Sequence, residues 1–160
     1  MSPRHLWNRI SSSLWFVPSA LTVAGAVLAP AMVLVDIRWL SPEKLGELWW
    51  LFGGSPEGAR GVLVAIAGSL ITVTGVVFSI TIVALQLASS QFTPRVLQNF
   101  TGDRGNQVVL GVFVGTFTYT LLLLRTVRSA ADDAGPGFVP AAGVTVAVVL
   151  ALVSIGCLIY

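Results

Sequence analysis

Thr72, Ser79 and Gln86 recur every seven residues along an otherwise apolar run, and Gly68, Gly75 and Ser89 form an adjacent row with the same period. Seven residues fall just short of two helical turns, so on an α-helix these six positions make one small, polar face. In lipid, where no hydrophobic force holds helices together, such a face serves one of two ends: it lets helix backbones approach and hydrogen-bond, or it lines water. In the packing reading the contact notches are Gly75-x-x-x-Ser79 and, in the next apolar run, Gly111-x-x-x-Gly115. In the conducting reading several subunits bring this face around an axis, and Thr72, Ser79 and Gln86 line a narrow polar path. The run closes with Leu85-Gln-Leu-Ala-Ser-Ser-Gln-Phe-Thr-Pro-Arg95, whose amides and hydroxyls suit the headgroup region.

Sets of residues that could perform covalent chemistry are missing. His5 and Cys157 are single, and there is no HExxH, CxxC, Gly-rich phosphate loop or nucleophile elbow. The expectation is a protein that is not an enzyme and holds no cofactor or metal. Asp132-Asp133 reads as a solvated pair in a turn rather than a cation site, and Asn99-Phe100-Thr101 as a fortuitous glycosylation pattern beside the membrane. No charge lies inside any apolar block, so the buried carboxylates or histidines of proton-coupled carriers are absent, while a passive pore works with hydroxyls and amides. Arg125 and Arg128, three residues apart at the end of the third apolar block, share a helix face. They either concentrate anions or bind lipid phosphate, or they snorkel and anchor the helix, the more ordinary role; Arg95 is a third interfacial base.

The elements that must position these residues follow from composition. Apolar residues make up 55% of the chain, charged residues 10%, and the mean hydropathy is +0.87, which marks an integral membrane protein. Four uncharged blocks, Leu14 to Val35, Gly61 to Leu87, Val108 to Leu124 and Val139 to Tyr160, are each long enough to span ~30 Å of hydrocarbon at ~1.5 Å per residue. The expected fold is an all-α integral membrane domain over 1–160, with transmembrane helices at about 14–35, 61–90, 107–125 and 139–160. A cleaved signal peptide is the rival reading of the first block, but its run is long for a signal core and contains Pro18. Ser41-Pro42 and Gly53 bound a short interfacial helix in the first connection, and Thr93-Pro94 and Gly102 bound another, at about Arg95 to Thr101, in the second. The third connection, Arg125 to Phe138, reads as a simple polar turn.

A net charge of +2 without a clustered basic face argues against nucleic acid; the expected partners are membrane lipids and a second copy or another membrane complex. Arg4, Arg9, Arg95 and Arg104 on one side balance Arg38, Lys44, Arg60, Arg125 and Arg128 on the other, so the positive-inside rule does not orient the chain. The acids, gathered mostly opposite the termini, favour both ends in the cytoplasm of a bacterial inner membrane.

The run from Gly68 to Arg95, with its polar residues at fixed places, and Tyr119-Thr-Leu-Leu-Leu-Leu-Arg-Thr-Val-Arg128 together resemble the bacterial predicted membrane proteins grouped as DUF2254. The resemblance covers essentially the whole chain. It implies that a sizeable soluble region follows the fourth helix, in keeping with the apolar stop at Tyr160, and it implies no particular activity. Two functions are carried forward: an oligomeric pore or transport-type membrane domain of unknown substrate, and a non-transporting scaffold or accessory subunit of a larger membrane complex.

Overall fold

A computed structural model describes residues 16–39, 54–91, 104–129 and 137–159, with backbone alone for 84, 85, 88–91, 104 and 106. These residues form four helices: α1 (Phe16–Trp39), α2 (Pro56–Gln91), α3 (Arg104–Leu124) and α4 (Ala141–Ile159). Each is long and apolar enough to cross a membrane, as the four blocks predict. Helices are what such sequences must form in hydrocarbon, because every backbone N–H and C=O has to be satisfied within its own segment. The hydroxyls obey the same demand. Thr22, Ser69, Thr72, Thr74, Ser79, Thr81, Thr118, Thr120, Thr145 and Ser154 all donate to the carbonyl four residues earlier.

Helix α3 is the centre of the bundle. It packs most extensively on α1, then on α2 and α4, and α4 also touches α1 and α2; among the described residues α1 and α2 do not meet. The core gathers Ala29 of α1, Ala59 and Leu63 of α2, Tyr119 and Leu123 of α3, Val127 just beyond it, and Val144 and Ala147 of α4. It lies toward the membrane face where α1 and α3 end and α2 and α4 begin.

Two helix boundaries differ most from the sequence reading. Helix α2 starts at Pro56 rather than near 61, because Ser55 is its N-cap: the Ser55 Oγ accepts from the Gly58 N–H at 3.1 Å, Pro56 takes the first helical position and Glu57 sits in the first turn. Helix α1 runs on to Trp39, carrying Asp36 and Arg38 with it. The third connection is more than a polar turn. Its ends pair, with the Arg128 N–H on the Phe138 carbonyl and the Phe138 N–H on the Arg128 carbonyl, both at 3.0 Å. The interfacial helices expected at 42–52 and 95–101, and Asp132-Asp133, lie outside the described residues.

Candidate functional site

The face marked out by Gly68, Thr72, Gly75, Ser79 and Gln86 is exposed along the length of α2. Its opposite side holds the bundle: Ala59, Leu63, Ala67 and Leu70 are buried, about half a turn away at ~100° per residue. A side chain added at Gly68 or Gly75 would meet nothing within 4 Å. Thr72 and Ser79 turn their hydroxyls onto the Gly68 and Gly75 carbonyls at 2.8 Å each. The stripe is thus open, outward, and, at those two hydroxyls, already satisfied within the helix. Beyond Leu70 no described residue of α2 is buried. The 36-residue helix, about 54 Å long, is attached to its neighbours chiefly through its first half. Ser89 belongs to the helix backbone only, and Arg95 falls outside the described residues.

The other small pair behaves differently. Gly111 and Gly115 on α3 face α1, not α2. A Cβ at Gly111 would come within 2.6 Å of Leu21 Cδ1 and 3.1 Å of the Pro18 Cα, and one at Gly115 within 2.8 Å of the Leu21 carbonyl oxygen. Gly25 of α1 completes the contact, resting on the Gly115 backbone so closely that a methyl group there would collide with the Gly115 carbonyl. This is the close backbone approach that small residues permit in lipid.

The polar groups that join the helices are ones the sequence reading left in a connection or passed over. Asp36 is buried, with 5% of its surface exposed. One carboxyl oxygen accepts from the Ala142 N–H at 3.0 Å and the other from the Gly143 N–H at 3.1 Å. Helix α4 opens after Val139-Pro140, which offers no side-chain cap, so its first N–H groups lack a local partner, and a carboxyl group from α1 supplies it. The Tyr119 hydroxyl, fully buried, donates to the Gly143 carbonyl at 2.9 Å. Gly143 is therefore gripped at its nitrogen by α1 and at its oxygen by α3. At the same membrane face Arg60 Nη2 donates to the Val127 carbonyl at 2.9 Å, and the Ser129 hydroxyl to Glu57 Oε1 at 3.1 Å, tying the start of α2 to the exit of α3. Deeper, the Ser154 hydroxyl reaches the Thr116 hydroxyl at 3.4 Å.

No charge falls inside the four apolar blocks, but α1 runs past the first of them and carries Asp36 into the bundle. The sequence did hold a signal for it: a helix beginning Pro140-Ala-Ala-Gly143 without a capping residue needs an acceptor from elsewhere, and Asp36 is the acid that directly follows an apolar block. Arg125 and Arg128 lie just past the end of α3, which stops at Leu124, so they do not share a helix face as the sequence reading had them; both are exposed and border a groove against α1. Among the described residues no group of three or more His, Cys, Asp or Glu side chains could hold a metal ion.

Four apolar helices, a small-residue contact between α1 and α3, and helix termini capped across the bundle define a polytopic membrane protein. Within that class, residues 11–160 match the family described as "Predicted membrane protein (DUF2254)", and the chain belongs to it. It is 38% identical over 151 residues to the uncharacterized proteins Rv1290c of Mycobacterium tuberculosis and Mb1321c of Mycobacterium bovis. The match takes in 94% of this chain and 28% of each relative, so the chain spans little more than a quarter of their length. No solved structure matches it.

Proposed function

We propose that this chain is the self-associating membrane domain of a bacterial inner-membrane protein, with both termini cytoplasmic, whose subunits meet through the open face of α2 and enclose a narrow polar path of pore or transport type. What supports the reading is one observation: the polar and small residues of α2 point away from the helices of their own chain. A glycine-rich face left toward acyl chains forgoes the close backbone contact that stabilises helix association in lipid. A second copy restores it. The reading involves no catalysis, cofactor, metal or nucleic acid.

A second reading has its own support. Because Thr72 and Ser79 already satisfy their hydroxyls on α2, the face needs no water, and it serves equally as the seat of a non-transporting scaffold or accessory subunit. Single-channel recording of the purified protein in planar bilayers separates the two. A pore predicts discrete conductance that Ser79→Trp blocks. No conductance, or conductance unchanged by Ser79→Trp, overturns the pore and leaves the scaffold.

A further inference from the structure

Where α1 and α3 end, an open groove of about 380 Å³ is lined by Val33, Ile37, Arg125, Thr126, Arg128 and Phe138. Ile37 lies in the last turn of α1 and Arg125 follows the last residue of α3, so the groove sits where hydrocarbon gives way to headgroups. Val33, Ile37 and Phe138 make an apolar wall, and Arg125 and Arg128, both exposed, complete the lining. The Thr126 hydroxyl donates to the Leu123 carbonyl at 2.7 Å, which leaves the arginines as the charged donors among the described lining residues.

The surrounding backbone is braced. Arg128 is paired with Phe138, the Val127 carbonyl is held by Arg60, and Asp36 ties the end of α1 to the start of α4. Among the described residues neither nearby acid lines the groove: the Asp36 carboxyl is taken up by Ala142 and Gly143, and Glu57 accepts from Ser129.

We propose that this groove binds one anionic glycerophospholipid from the leaflet at that face, its phosphate between Arg125 and Arg128 and an acyl chain along Val33, Ile37 and Phe138. Guanidinium forks match phosphate oxygens in both charge and geometry. The apolar wall selects a lipid over free phosphate. With two cations and no carboxylate among the described lining residues, a headgroup with net negative charge fits best. Simple anchoring by snorkelling arginines would instead accept any headgroup and hold no particular lipid.

Native mass spectrometry of the intact chain, purified in detergent and offered equimolar phosphatidylglycerol and phosphatidylcholine, tests the site. The expected result is one retained phosphatidylglycerol, favoured about 25-fold at roughly fivefold per arginine. Arg125→Gln with Arg128→Gln brings the ratio close to one, while Val33→Trp, which fills the groove and leaves both arginines, lowers retention of both lipids. Millimolar inorganic phosphate displaces neither. Equal retention of the two lipids by the unaltered chain, an unchanged preference in the double variant, full retention after Val33→Trp, or displacement by inorganic phosphate would each overturn the assignment.

Discussion

On α3, Gly111 and Gly115 lie against the backbone of α1, where a methyl group would run into Leu21 and Pro18; on α2, Gly68 and Gly75, seven residues apart on one helical face, meet open space. Around the first pair the helix is enclosed, with Phe113, Thr116, Tyr119 and Thr120 buried nearby. Around the second, Val76, Phe78, Ile80 and Val83 are all exposed. Small residues at helical spacing thus mark a place where backbones come together, without naming the partner. On α3 the partner is another part of the chain. On α2 the chain leaves the place open, and the proposed partner is a second copy.

The comparison predicts unequal responses to equivalent changes. Gly115→Leu forces a large side chain onto the Leu21 carbonyl and should cost several kcal/mol, more than the roughly 1–3 kcal/mol usual for overpacking, because backbone must move. Denaturation in mixed micelles followed by circular dichroism should show the loss. Gly75→Leu should leave that unfolding curve in place and instead dissociate the oligomer, read by size-exclusion chromatography with light scattering. Equal destabilisation by the two would erase the distinction between the helices.

The next effect concerns how the enclosed half is held. Asp36→Ala leaves two N–H groups of α4, one buried and one part-buried, without an acceptor and should lower stability by about 2–4 kcal/mol, at roughly 1–2 kcal/mol for each group. Asp36→Asn keeps one oxygen and should fall between. Tyr119→Phe removes a single hydrogen bond to Gly143 and should cost about 1 kcal/mol in the same assay. Ser154→Ala, which gives up a 3.4 Å contact with Thr116, should cost about 0.5 kcal/mol. A larger loss from Ser154→Ala than from Asp36→Ala would mean that α4 is held by its middle and not by its first turn.

The helix count and the all-helical class were legible because hydrocarbon imposes a length and bars charge, and both marks survive in a single sequence. The outward stripe on α2 was legible as a pattern, since Thr72, Ser79 and Gln86 keep one helical face whatever surrounds them. Its direction was not. Periodicity says which residues share a face but not what that face meets, so the reading that paired Gly75 with Gly111 as contact notches did not foresee that α3 turns its glycines to α1. Asp36 escaped for a related reason. It stands one residue past an uninterrupted apolar block, where a charge ordinarily marks the end of a span, and its distance to the uncapped start of α4 shows that it stays inside the bundle. Ser55-Pro56-Glu57 was a local signal that the apolar-block criterion overrode, because a rule built on uncharged runs starts the helix after Arg60.

Cysteine cross-linking in native membranes tests the central claim most directly. In a Cys157→Ala background, Ser79→Cys on the stripe and Ile80→Cys, about 100° around the helix and 64% exposed, are oxidised side by side. The account predicts a disulfide-linked dimer from Ser79→Cys and little or none from Ile80→Cys. Equal cross-linking at both positions, or none at Ser79→Cys in intact membranes, would contradict self-association through the stripe.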